Sequence, residues 1–502
     1  MNNQNMKTIF LRIFPFLCPL ILVGCTVGPD FKRPQISVPK NWKPDLVSEE
    51  DKNPVNLASW WKSFQDPVLT DLIEKAIESN LDLRQASYRV VQARATLGIL
   101  TAGLFPEIGV QGALTRRHNS MAVSPSNNST NTALATSIPP SSSQIIAATA
   151  SSPSTKSASN LFQTGLTASW TLDVFGGIRR NIEAANANIQ MSLEDRRGIF
   201  LTLVSDVATN YVNLRTFQKQ ISIAKEQLKM QEQTAAIMKK KFDAGYATSL
   251  DTSNANALVA NTRAQIPVFE SAEKIAMQNL SVLLGKEPLY LRNILANESG
   301  LPNVPKEIPI GLPSDLLQRR PDIRKVEAQL HSATAKIGVA TADLFPKFTL
   351  TGTAGFSGTH ASDLGPPKSV FWTAGPSISL PIFTAGRISW NIELQKNIRE
   401  ETLLLYEKTL LTAFKEVETS LVNFENDQER RKYLQESVDN YRKSVKTAMT
   451  LYIAGKTDFL NVVTAQQSLF NSENALAQSN LNVALDLISL YKALGGGWEM
   501  HE

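Results

Sequence analysis

The sequence predicts a mainly α-helical chain built as a tandem repeat, carrying four membrane-length β-strands and long coiled-coil helices. Three observations predict it. Leu104-Phe105-Pro106 returns as Leu344-Phe345-Pro346, 240 residues on, while Gly165, Gly245 and Leu284-Gly285 return 210 residues on as Gly375, Gly455 and Leu494-Gly495. Self-similarity at a fixed offset marks a repeated supersecondary unit. Residues 178–242 and 387–454 contain no proline and carry apolar residues at 3-4 spacing. Each of these runs follows two short segments with strand-like alternation, visible in Phe348-Thr349-Leu350-Thr351 and Ile378-Ser379-Leu380.

Composition narrows the function classes. Of 502 residues, 42% are hydrophobic and only 19% charged. Beyond the N-terminus no stretch approaches 18 uninterrupted apolar residues, which excludes a bundle of transmembrane helices. The net charge of +5 is spread along the chain, so no nucleic-acid partner is indicated. The two cysteines, Cys18 and Cys25, lie close together near the N-terminus and cannot staple the fold. Four scattered histidines (His118, His331, His360, His501) lack metal-ligand spacing. With no phosphate-loop glycines and no nucleophile elbow, neither a cofactor nor an enzyme is expected.

The elements follow in order. Lys7 and Arg12 precede a short apolar run at 13–23, interrupted by Pro15 and Pro19, which is signal-peptide anatomy over 1–24. Leu22-Val23-Gly24-Cys25 resembles the bacterial lipoprotein signal, in which cleavage precedes a cysteine that carries lipid. That resemblance makes Cys25 the lipidation site. It leaves a mature charge of +3, since Lys7 and Arg12 go with the leader (+5 − 2). Thr26, rather than an Asp, after the cysteine favours the outer membrane. Stable anchoring takes more than one acyl chain. Residues 26–56 carry five prolines and read as an extended tether, within an N-terminal segment spanning 25–65.

Repeat 1 spans 66–285 and repeat 2 spans 313–495, each in the same order. A helix comes first, at about 69–103 and 314–342, the second started by Pro313-Ser314. Strands are expected at about 107–117, 161–174, 347–356 and 370–383. A Ser/Thr/Ala-rich loop at 119–160 separates the first two and accounts for the change of offset. The pairs end at Phe175-Gly176-Gly177 and Thr384-Ala385-Gly386.

The long helices follow, each about 100 Å at 1.5 Å per residue. Ile221, Ala224, Leu228, Gln231, Ala235, Met238 and Phe242 form one seam; Leu434, Val438, Tyr441, Val445, Ala448 and Tyr452 form the other. Gly245 and Gly455 end them as left-handed caps. Ser249 or Asp251, and Thr457 or Asp458, then cap the returning helices. A proline-rich connector occupies 286–312, and 496–502 is a C-terminal tail.

Geometry sets what such a chain can do. Open strand edges are forbidden in lipid, so four strands cannot stand alone in a bilayer. Two chains give eight strands, a barrel filled by its own side chains; three give twelve, enough for an aqueous path. A homotrimer follows, with helices too polar for lipid extending the tube into an aqueous compartment.

Several stretches carry a family resemblance in order along the chain. They are Trp60-Trp61 with Phe64, Asp66-Pro67 and Leu69; Leu317-Gln318-Arg319-Arg320-Pro321-Asp322-Ile323; Ile337-Gly338-Val339-Ala340 into Asp343-Leu344-Phe345-Pro346; and Tyr491-Lys492-Ala493-Leu494-Gly495-Gly496-Gly497-Trp498. The chain resembles the TolC-like outer-membrane factors in their lipoprotein, NodT-type branch. The resemblance implies a trimeric twelve-stranded β-barrel in the outer membrane, continued by a periplasmic α-helical barrel. It implies a passive export channel for small toxic compounds, partnered by a periplasmic adaptor protein and an inner-membrane pump of the resistance-nodulation-division type.

The same resemblance places a gate at the periplasmic tips. Its residues here are Tyr452, Asp458, Asn461, Thr464 and Asp251, and the adaptor-facing tips hold Gly245, Gly455 and Lys456. Asn461 and Thr464 stand where the family commonly has acids, which implies weaker cation selection. Asp458, nearer the turn, is expected first as an N-cap; Tyr452 matches a family tyrosine that latches neighbouring hairpins and is equally placed as a seam residue. Trp60 and Trp61 are expected to pack against helices rather than anchor at an interface. Arg320 and Asp322 are expected to fix a helix start, and Trp170, Phe371 and Trp372 to form an interfacial girdle. A lipid-anchored coiled-coil scaffold without a pore explains the helices but not the strand pairs with glycine turns. A protein-secretion duct is the other alternative on this fold.

Overall fold

The computed structural model describes residues 26–35, 57–118, 158–295, 300, 302–305, 319–365 and 367–498. The signal peptide, Cys25, most of the tether, loop residues 119–157 and the helix-start signal at Pro313-Ser314 lie outside the described residues. The chain divides into two compact units, one holding residues 1–28, 99–180 and 338–389, the other 29–98, 181–337 and 390–502.

The first unit holds β1 (Glu107–His118), β2 (Ala158–Leu172), β3 (Lys347–Gly358) and β4 (Val370–Ser379). They form one antiparallel sheet in the order β1-β2-β3-β4. The two hairpins share a register: Glu107 faces Ser169 and Lys347 faces Ser379, positions related by the offsets of 240 and 210. β2 and β3 join the repeats, with Ser169 opposite Thr351.

Opposite residues share a face and successive ones alternate. The register therefore gathers Ile108, Val110, Leu114, Phe162, Leu166, Trp170, Phe348, Leu350, Phe356, Val370, Trp372 and Ile378 on one face. The other face holds Gln111, Thr115, Gln163, Thr167, Ser169, Thr349, Thr351, Thr353, Thr373 and Ser377. Val110 and Trp372 are 81% and 76% exposed. Apart from Thr164 and, toward one end of β1 and β2, Arg116, His118 and Asn160, this open face is apolar, and beside a mostly small, polar face that is the pattern of a sheet that meets lipid on one side and water on the other.

Several strand ends differ from expectation: β2 begins at Ala158, inside the expected loop, β3 runs on to Gly358, and two strands stop short. β2 stops at Leu172, not 174, because the Asp173 carboxylate accepts from the backbone N–H groups of Ile178 and Arg179 at 2.9 and 2.8 Å and so belongs to the next helix start. β4 stops at Ser379, not 383, since Pro381 has no N–H to extend the ladder. Phe371 lies on the polar face, so the girdle expected of Trp170, Phe371 and Trp372 loses its middle member. The Trp170 indole N–H donates to the Leu104 carbonyl at 2.8 Å, so this side chain is tied to the protein.

The α-helices that lie wholly among the described residues are α1 (Pro67–Ser79), α2 (Leu81–Ala102), α3 (Gly177–Asp243), α4 (Ser249–Leu283), α5 (Pro321–Ala342), α6 (Arg387–Ile453) and α7 (Phe459–Ala493). α3 and α6 have 67 residues each, and α4 and α7 have 35 each, as the repeat requires. The single helix expected at 69–103 is instead two. Asn80 separates them because its side chain does two jobs: Oδ1 accepts from Leu83 N–H at 2.9 Å, and Nδ2 donates to the Leu283 carbonyl at 2.9 Å.

The core of the helical unit draws on both repeats, with Trp60, Trp61, Phe64, Tyr211, Tyr406, Leu280, Leu487 and Tyr491 buried together. Trp60 stacks on Tyr491 with centroids 5.2 Å apart, so both tryptophans pack as expected. Asp66 caps α1 and also accepts from the Tyr211 hydroxyl at 2.7 Å. Arg320 precedes α5, bridging Asp322 and Glu416 and donating to the Ala493 carbonyl at 2.9 Å. Burial works against its charge, but the two carboxylates more than offset this and hold its pKa up.

Residues 26–35 form an extended strap. In the strand unit, Val27 N–H donates to Phe175 O at 3.2 Å and Arg180 Nε donates to Val27 O at 3.1 Å. Gly28 (φ +92°) lies against Gly338, where a Cβ on Gly28 would stand 2.4 Å from the Gly338 Cα. The pair of glycines allows the strap to seat directly on α5. In the helical unit, Phe31 stacks on His331 and Arg33 pairs with Glu327 at 2.9 Å.

Candidate functional site: the hairpin tips

Both long hairpins turn the same way. Gly245 and Gly455 adopt φ of +80° and +70°, which side chains with a Cβ rarely tolerate. At the first tip, Gly245 N–H donates to Phe242 O at 2.9 Å and Tyr246 N–H to Lys241 O at 2.8 Å. At the second, Gly455 N–H donates to Tyr452 O at 3.1 Å and Lys456 N–H to Leu451 O at 2.8 Å. Each is a Schellman cap that satisfies carbonyls left over by the long helix.

The return helices start differently. At the first tip neither Ser249 nor Asp251 is the N-cap. Thr248 is, and Asp251 completes a capping box: Asp251 N–H donates to Thr248 Oγ1 at 3.2 Å, and Thr248 N–H donates to Asp251 Oδ2 at 3.0 Å. At the second tip Asp458 holds the N-cap position, but its side chain makes no capping hydrogen bond. Asn461, which matches Asp251 by the 210 offset, donates to Thr457 Oγ1 at 2.7 Å. The Thr464 hydroxyl, exposed on α7, donates to Leu460 O one turn back at 2.9 Å. One tip is thus closed by a reciprocal box and the other is not.

The tips pack on each other within the chain. Met238, Ala255, Phe459 and Val462 are buried together, with Tyr452 against them. Tyr452 lies 5.5 Å from the Phe459 ring, and the Lys241 ammonium stands 4.0 Å above its face. Tyr452 therefore packs between residues of the two repeats. Gly245, Gly455, Lys456, Asp458, Asn461 and Thr464 are exposed at the turn. Phe242 and Tyr441, expected in the seams, are instead 45% and 37% exposed.

Sequence reasoning missed an exchanged ion pair behind the tips. Arg263 pairs with Glu232 at 2.7 Å, and at the positions 210 residues on, Arg442 pairs with Glu473 at 2.8 Å with the signs reversed. The offset itself was the signal that links them. The tip residues offer hydrogen bonding and packing, and hold neither a nucleophile with its base nor, among the described residues, a metal cluster.

The family model described as outer membrane efflux protein matches residues 72–286 and 312–496. The chain is 30% identical to the cation efflux system protein CusC of Escherichia coli O6:H1, over 97% of this chain and 99% of that protein. It is 31% identical to the solvent efflux pump outer membrane protein SrpC of Pseudomonas putida, over 98% and 99%. Its fold is similar to that of the solved outer-membrane channel OprN, with a TM-score of 0.83 and 30% identity over 94% of this chain and 100% of that one.

Proposed function

Because this chain belongs to the outer membrane efflux protein family, we propose that it is the passive outer-membrane duct of a tripartite efflux pump. The observation that carries the reading is the sheet: four antiparallel strands, one face mostly apolar and open, with β1 and β4 as outer edges. Such edges cannot face lipid unpaired. Three copies joined edge to edge give a twelve-stranded barrel, with the 67-residue helices lining a periplasmic extension. The tips form the resting gate. Tyr452, Asp458, Asn461, Thr464 and Asp251 set its packing and polarity, and Gly245, Gly455 and Lys456 shape the surface an adaptor meets.

The energy comes from an inner-membrane pump of the resistance-nodulation-division type, and cargo is selected there. Relatives named for cations, solvents and toluene fit a duct that does not itself choose. Lipid on Cys25 holds the chain in the outer membrane. The seat of Thr26 against Gly176, directly after β2, supports an anchor delivered at the end of the strands.

Planar-bilayer recording of the purified protein tests the reading. Stepwise conductance that grows in a Tyr452→Ala, Asp458→Ala variant is expected. A silent bilayer for both proteins refutes it.

A further inference from the structure

Between the tip cluster and the seam above it, the contact of α3 with α7 turns polar. Ala224, Gln231 and Met238 occupy one heptad position of α3, and all three are buried. Ala224 packs with Ile223, Phe470 and Ala477, and Met238 with Ala255, Phe459 and Val462. Gln231 falls between these two apolar clusters. Gln227 and Thr234, one turn to either side on the same face, are tied to α7. Gln227 Nε2 donates to Gln466 O at 3.0 Å, and Gln466 Nε2 donates to Thr234 Oγ1 at 3.1 Å. Gln231 is 1% exposed, yet neither its Nε2 nor its Oε1 has a protein partner, and Gln466 Oε1 also has none.

By the 210 offset, Gln227, Gln231, Thr234 and Gln466 become Ser437, Tyr441, Ser444 and Asn256, of which Tyr441, Ser444 and Asn256 are exposed, so the buried polar layer belongs to the contact of α3 with α7. Polar groups inside a coiled-coil seam weaken it and fix its register. A buried amide with neither donor nor acceptor matched raises the free energy of the packed arrangement that contains it. Gln231 brings a free donor, and Gln466 Oε1 is a free acceptor on the facing helix.

We propose that this polar layer is the hinge of the gate, the level at which the tips move against the helices above. Gln231 is unpaired in the packed arrangement and pairs with Gln466 when α7 shifts along α3 as the tips separate. The layer thereby lowers the cost of opening while Gln227 and Thr234 guide the return. The inference rests on the channel reading above.

Gln231→Met, which keeps the volume and removes both polar atoms, tests it alongside Gln231→Leu. Both are measured for thermal melting and for single-channel opening in planar bilayers, beside the wild type and the Tyr452→Ala, Asp458→Ala variant. The expected result is a higher Tm together with opening events about ten-fold rarer, the size that one unpaired buried amide implies. A higher Tm with unchanged opening overturns the proposal, because Gln231 is then a packing defect alone. Unchanged behaviour in both measurements overturns it, as does loss of the folded assembly in both variants. If the tip variant is also silent, the channel reading itself falls; if the tip variant conducts and the Gln231 variants match the wild type, only the hinge falls.

Discussion

The repeat predicts how strands pair between copies of the chain, residue by residue. Within one chain the hairpins β1–β2 and β3–β4 share a register under the offsets of 240 and 210. If the contact between β2 and β3 is repeated between β4 and the β1 of another copy, the pairing Ser169–Thr351 becomes Ser379–Gln111. Ile378 then faces Gly112, and Ser377 faces Ala113. This register keeps the apolar face continuous, whereas a one-residue slip turns every side chain over. Opposite Cα atoms lie about 4.5–5.5 Å apart, inside the ~4.4–6.8 Å window of a disulfide. A slip of two residues keeps the faces but moves the partners to roughly 7–8 Å, outside that window. Ser379→Cys with Gln111→Cys, and separately Ile378→Cys with Gly112→Cys, cover the two hydrogen-bonding classes of an antiparallel pair. Under mild oxidation at least one is expected to give a covalent trimer ladder on non-reducing gels. Ser379→Cys with Ala113→Cys is expected to give little. Stronger cross-linking by the displaced pair than by both aligned pairs refutes the reasoning.

Three further outcomes are expected. Asp486 is pushed up to about 7, first by burial and then by the Asp427 carboxyl it meets across α6 and α7. Because its folded-state pKa lies above the ordinary value, its stabilising contribution is present at acid pH and is lost as pH rises toward 7. Asp486→Asn should flatten the fall of Tm between about pH 4 and 7; an unchanged slope contradicts the assignment. Arg320→Met should lower stability by about 2 kcal/mol in denaturant titration. This is less than the roughly 3–5 kcal/mol of a wholly buried pair, since Asp322 and Glu416 are 46% and 49% exposed and remain hydrated. A loss under 0.5 kcal/mol, the scale of an ordinary surface change, contradicts it. Cys25→Ser should abolish incorporation of labelled palmitate; label retained in that protein places the lipid elsewhere.

The helices were legible because a 3-4 pattern without proline over some 65 residues has few other solutions. The tips were legible from Gly245 and Gly455, whose backbone conformation excludes most other residues. Strand ends were harder. Asp173 reads as a strand residue until its carboxylate is seen to serve the next helix, and Asn80 reads as helical until its side chain is seen to answer two helix ends at once. The first-tip cap was missed by one residue, although Thr248-Ser249-Leu250-Asp251 has the three-residue spacing of a box. Gln231 showed itself as a polar residue in an apolar seam. Its company did not, because Gln466 lies 235 positions away and arrives only through the packing of α7 on α3.

The unequal caps at the two tips bear on how such a chain can change over generations. A ring of identical half-units would copy every substitution at each tip around the circle, so any change that loosened one would loosen all. Fusing two halves in one gene breaks that constraint. Thr248 and Asp251 close one tip with a reciprocal box, while the other, begun by Asp458 with Asn461 behind it, can change without altering its counterpart.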